Sequence, residues 1–158
     1  MKLKRMAESL VRKYKTRNPF EIAQALGYEV VYAPLKGIRG FYQQVRRCTI
    51  IYIAEDLPYW DAAFVCAHEI GHVLLHRGCN RIFMDTHAYF KVNTYEIEAD
   101  RFALNLIWSD DDVVCFFCLP VVSFADAAGV SIETAKYRMD MVDLKNLSVS
   151  GVTGDEAP

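Results

Sequence analysis

His68-Glu69-Ile70-Gly71-His72 decides how this chain is read, because it sets two imidazoles four residues apart with a carboxylate beside the first. On a helix, residues i and i+4 lie one above the other, about 6 Å apart along the axis. Two nitrogens at that spacing can converge on one zinc at about 2.0–2.1 Å each. A glutamate after the first histidine is then placed to take a proton from the attacking water. A surface helix would carry the pair on a polar stripe, but Phe64, Val65, Ala67, Ile70, Val73, Leu74 and Leu75 surround it. A helix apolar on nearly all sides is a buried one, and buried histidines need partners. The stretch therefore reads as His68 and His72 holding a metal, with Glu69 as general base.

The rest of the composition is that of an ordinary soluble protein. At 158 residues the chain suits one domain with a real core. A net charge of −2 offers no basic excess for general nucleic-acid binding. The basic start Met1-Lys2-Leu3-Lys4-Arg5-Met6 precedes no long apolar run, so no signal peptide is expected, and nothing approaches the ~20 apolar residues of a membrane span. Five scattered cysteines argue against a disulfide framework and for a reducing compartment. The expectation is a cytoplasmic protein with one domain over residues 1–147, helical in its last part from about 110, and a disordered tail over 148–158.

Local signals place the elements. Residues 3–16 form an amphipathic helix with Leu3, Met6, Leu10 and Val11 on one side. Asn18 caps a second helix with Pro19 at its first position and Glu21 three residues on, and Gly27 ends it. Three β-rich runs, Tyr28–Tyr32, Phe41–Val45 and Thr49–Ile53, predict a small antiparallel meander. The histidine helix enters near Pro58 and Asp61 and ends where Gly78 follows Arg77; residues 79–92 read as irregular. A further helix starts near Asn93 or Thr94 and runs to about Trp108. A short acidic-ended helix from Asp110 is closed by Pro120, and a helix pair turns at Gly129 with Ser131 as a cap.

A catalytic zinc takes three protein ligands and keeps one open position. His76 continues the stripe, but on a straight helix it lies about 12 Å from His68, too far to share a metal. It is read instead as a wall of the cleft or a donor behind the ligands. The better third ligand lies in Glu96-Ile97-Glu98-Ala99-Asp100-Arg101-Phe102-Ala103. Glu96 and Asp100 share a helix face and Glu98 points elsewhere. Glu96 would bind the metal, while Asp100 would accept the other N–H of a ligand histidine and fix its tautomer. Ala99 and Ala103 flank that face with small side chains. The competing readings are a capping-box glutamate after Asn93 and an Asp100–arginine ion pair.

The residues "NPFEIAQALGYEV", "IRGFYQQ…TIIYIAEDL", "AHEIGHVLLHRG", "EIEADRFALNLI" and "GVSIETAKYRM" together resemble the ImmA/IrrE family of metallo-endopeptidases, over about residues 14–140. The resemblance implies an α+β, zincin-like fold, His68, His72 and Glu96 as ligands, and Glu69 as base. It also implies a protein substrate: members typically cleave a helix-turn-helix repressor, relieving repression of a mobile element, prophage or stress regulon. The chain departs from the family in the turn Arg46-Arg47, which lacks the glycine common there, and in lacking the fused DNA-binding domain of some relatives.

Zinc suits two histidines and a carboxylate with an exchangeable position, although manganese or iron can occupy similar ligands. Tyr42, His76, His87, Tyr89 and Tyr95 are all candidates for stabilising the oxyanion. Thr49–Ile53 is a candidate to pair with an extended substrate. Two other functions compete. One is an anti-repressor that binds without cutting. The other is a DNA-binding regulator built on "SFADAAGVSIETAKYRMDMV", whose second helix offers only Lys136 and Arg138 as cations. Cys115-Phe116-Phe117-Cys118 lacks a matching second pair for a zinc knuckle and reads as two small residues in an apolar helix.

Overall fold

The computed structural model describes residues 1–76 and 89–147. Gly78, Cys79, His87, the side chain of Tyr89 and the segment 148–158 lie outside the described residues. The elements in chain order are α1 (Lys2–Tyr14), α2 (Pro19–Ala25), β1 (Tyr28–Ala33), β2 (Gly40–Val45), β3 (Cys48–Ala54), α3 (Tyr59–Leu75), α4 (Tyr89–Ile107), α5 (Asp110–Val114), α6 (Val121–Ala128) and α7 (Ile132–Asp140). A 3₁₀ turn over Leu144–Asn146 ends the described chain. The class is α+β, as expected. Among the described residues no helix is long and apolar enough to cross a membrane.

The sheet corrects the expected antiparallel meander. Its order is β1-β3-β2, with β1 parallel to β3 (Tyr28 opposite Thr49) and β2 antiparallel to β3 (Val45 opposite Cys48). Burial explains the order. β3 is the most apolar strand, with Ile51, Ile53 and Ala54 buried, and it takes the centre. β1 and β2 carry Glu29, Gln43 and Gln44 outward and serve as edges. Thr49–Ile53 is therefore hydrogen-bonded on both sides, which removes it as the strand that could receive a substrate.

One core packs α1, α2 and the inner face of β3 against α3 and α4, through Ile22, Ile51, Ile53, Val65, Ile70, Phe102 and Leu106. β2 crosses α3 so closely that a Cβ on Gly40 would overlap Val65 Cγ1 and the Tyr52 carbonyl. A second cluster joins Leu104 and Val113 to Phe124, Ala125 and Ala135, and seats α6 and α7.

Caps set the helix ends. Asn18 Oδ1 accepts from the Phe20 N–H at 3.0 Å, and Ser131 Oγ from the Thr134 N–H at 3.2 Å. Ser109 and Asp112 form a capping box on α5. That helix ends at Val114 rather than at Pro120, because i→i−3 bonds from Phe116 and Phe117 tighten the chain into turns. Pro120 opens α6 instead. Cys115 and Cys118 consequently lie exposed beyond α5, as free thiols and not within an apolar helix.

Arg138 on α7 is fully buried. Its Nη2 donates to the Trp108 carbonyl and to Asp110 Oδ1, both at 2.7 Å. Lys4 donates to Asp110 Oδ2 at 2.5 Å and to the Met141 carbonyl at 2.6 Å, and the Asp143 N–H adds a bond to Asp110 Oδ2 at 3.0 Å. Burial would raise the Asp110 pKa, but Lys4, the Asp143 amide and Arg138 prevail and hold it below the usual carboxylate value.

Candidate metal centre

Two antiparallel-packed faces build the site, His68 and His72 from α3 and Glu96 and Asp100 from α4. Gly71 lets them approach: a Cβ there would lie 3.0 Å from Phe102 Cδ1 and 3.4 Å from the Ala99 Cα. Ala99 and Ala103 are fully buried on the α4 side. The alanines were visible as spacers in the sequence. Gly71 was not, although a glycine inside an apolar helical run signals close backbone approach.

The donor atoms converge. His68 Nε2 and His72 Nε2 are 2.9 Å apart, and Glu96 reaches them at 3.3 Å and 3.5 Å through its two oxygens. Each of the three residues offers a ligand atom within 4.8 Å of the others. Two donors bonded to one tetrahedral zinc stand about 3.3 Å apart, so the donor set fits that ion in type and spacing. His68 Nδ1 lies 2.8 Å from Asp100 Oδ1. With the proton on Nδ1 shared with that carboxylate, Nε2 turns its lone pair toward His72 and Glu96.

The pocket favours positive charge. Burial pulls the His68 pKa down, but hydrogen bonds to Asp100 and Glu96 and the charges of Glu69 and Asp100 outweigh it, raising the imidazole to about 9. Glu69, next along α3, is only 2 % exposed. Cys66, one turn earlier, is buried beside that carboxylate; burial first, then the Glu69 charge, push its thiol up to about 12. It is an inert core residue.

The remaining candidates fall outside the three-residue group. α3 ends at Leu75 rather than at Arg77, so His76 is the helix cap and not a further step of the stripe. It is buried, with its ring centroid 5.4 Å from that of His72 and 4.1 Å from that of Tyr95, and Nε2 3.6 Å from Glu98. Glu98 thus faces His76, and Glu96 faces the pair. α4 begins at Tyr89, which makes Asn93 an interior residue and removes the capping-box reading of Glu96. Asp100 pairs with His68, while Arg101 stacks on Tyr137. Tyr42 of β2 lies over His72, ring centroids 6.5 Å apart and 23° from parallel. The α6–α7 pair keeps its helix–turn–helix spacing, but burial of Arg138 leaves Lys136 as the basic group α7 can present.

Comparison with known proteins gives the chain's relatives. The family model for the peptidase M78 group, described as the IrrE N-terminal-like domain, matches residues 23–140. The chain is 36% identical over 149 residues to the "Uncharacterized immunity region protein 2" of Bacillus phage phi105, covering 91% of this chain and 92% of that one. It is 27% identical over 110 residues to "Metallopeptidase ImmA" of Bacillus subtilis (strain 168), covering 68% of this chain and 64% of the relative, just under two thirds of its length. With the family match spanning most of its length, this chain belongs to the ImmA/IrrE family of IrrE N-terminal-like peptidases.

Proposed function

We propose that this protein is a zinc-dependent endopeptidase. The observation that carries the reading is the convergence of His68 Nε2, His72 Nε2 and Glu96 on one point, with buried Glu69 on the same helix. His68, His72 and Glu96 would hold the ion, which when bound polarises the scissile carbonyl and acidifies water. Asp100 keeps His68 in the tautomer that presents Nε2. Glu69 accepts the proton of the attacking water and returns it to the departing amine. Its burial excludes competing solvent from that transfer.

The outer edge of β2, with no strand paired to it among the described residues, receives the substrate in extended form. β2 is an edge strand, it crosses α3 at Gly40, and its Tyr42 stacks over His72. The substrate is a protein, and a helix-turn-helix repressor of a mobile element or prophage is the target this family membership favours. Similarity to a phage immunity-region protein supports that setting. The work is done within one domain over residues 1–147, in a reducing compartment that keeps the exposed Cys48, Cys115 and Cys118 as thiols.

The test uses purified zinc-loaded protein and the repressor encoded beside its gene. Wild type is expected to release two fragments, and chelator to stop it. Glu69→Gln is expected to keep its zinc and lose at least ~10²–10⁴-fold in rate. Equal processing by wild type and Glu69→Gln would show that Glu69 is not the base. Repressor binding without fragments would leave an anti-repressor that acts by sequestration.

A further inference from the structure

A groove opens one helical turn before the histidine pair, on the side of α3 that meets α4 and α6. Phe64 joins the two places: it lies four residues before His68, with ring centroids 6.4 Å apart, and it also lines the groove. The cavity is about 530 Å³, within the ordinary range for small-ligand sites and ample for one long side chain. Trp60 and Trp108 form its other aromatic walls, and Trp60 is 75 % exposed. An exposed indole beside a concavity offers an apolar face on which a bound side chain can pack.

The rim gives the sign of that partner. Asp61, Asp112 and Asp126 line the groove with one cation, Arg39, so these four groups sum to −2. Arg39 is committed to Asp61 at 2.7 Å, and Asp112 Oδ2 is held by the cap of α5. Asp126 stands exposed on α6, and no cation pairs with it among the described residues. Small residues, Ala127, Ala128 and Gly129, keep the far wall low.

Resting on the peptidase reading, we infer that this groove is the specificity pocket, taking an arginine or lysine side chain of the protein substrate close to the scissile bond. The methylene stem packs on Trp60 and Phe64, and the cation lies over the indole face beside the Asp126 carboxylate. An acidic residue at that substrate position meets like charge and is rejected.

The chain has two tryptophans, Trp60 and Trp108, and both line the groove, so its tryptophan emission reports on this place alone. The probes are tryptophan-free, fluorescein-labelled octapeptides of fixed apolar sequence carrying one arginine, lysine, norleucine or glutamate at a scanned position. They are titrated into zinc-loaded Glu69→Gln protein, which preserves them, while anisotropy gives affinity and tryptophan emission gives location. The arginine and lysine peptides are expected to bind roughly tenfold tighter than the other two at one position and to alter tryptophan emission. Asp126→Lys and Trp60→Ala are each expected to erase most of that preference with zinc content and melting temperature unchanged.

Equal binding of the glutamate or norleucine peptides overturns the pocket, as does a basic preference that survives Asp126→Lys. Cleavage by wild type separates this result from the function beneath it. A basic preference in binding with no cut peptide sinks the peptidase and keeps the pocket; cuts without a basic preference do the reverse.

Discussion

Two clusters of charged side chains lie against α4 and its continuation, and they are composed in opposite ways. Around Arg138, one carboxylate meets two cations and a backbone amide, while Arg138 Nη2 and Lys4 Nζ also reach the carbonyls of Trp108 and Met141. Around His68, three carboxylates gather on imidazoles, and the nearest nitrogens and oxygens aim at a shared point. The first arrangement closes on a single carboxylate, and its three charged groups sum to +1. The second gathers an excess of carboxylates, which holds the His68 pKa above its ordinary value. Buried charge alone therefore does not mark a functional site; convergence of ligand atoms does.

Breaking the Arg138 cluster gives the larger effect on folding. Asp110→Asn leaves fully buried Arg138 without its counter-charge and is expected to cost about 3–5 kcal/mol, read by denaturant unfolding at pH 7. The sign of the pH dependence follows from the lowered Asp110 pKa. Its contribution is fully present above the unfolded value near 3.8 and is lost as pH falls through the folded value below it. Wild type and Asp110→Asn should thus converge in stability on acidification; a gap that persists once Asp110 is protonated in the folded state too would assign the loss to packing.

The His68 cluster should respond in metal affinity instead. Asp100→Asn removes the acceptor that orients His68 and is expected to weaken zinc affinity about 10–100-fold, measured by competition with a chelating dye. Its unfolding free energy without metal should change far less than that of Asp110→Asn. Equal stability losses would erase the distinction between the clusters. A smaller perturbation acts on spacing. Gly71→Ala presses a methyl on Phe102 and the Ala99 backbone, and is expected to cost about 1–3 kcal/mol. It should also lower zinc affinity by moving Glu96 from His68; full affinity would show that the helices have slack.

What the sequence revealed depended on how local each signal was. The ligand pair needs one helix turn, and Asn18-Pro19 and Ser131 need three or four residues, so all were legible. Glu96 and Asp100 were legible as a pair on one face, though only packing brings that face to His68. Sheet order was hidden because the partner of Tyr28 lies at Thr49, beyond an intervening strand. The start of α4 was hidden because Asn93 imitates a cap inside a helix that begins at Tyr89. Arg138 looked like a solvent-facing cation, and nothing within α7 announces the Asp110 carboxylate that draws it inside. The groove at Trp60 was equally invisible, being assembled from α3, α4, α5 and the end of α6.

Lys4 has one more consequence. By bridging Asp110 and the Met141 carbonyl, it fastens the first turn of α1 to the segment that follows α7. The two extremities of the described chain are thereby coupled. Fraying at one exposes the salt bridge that anchors the other, so the ends open as a single unit rather than as two independent tails.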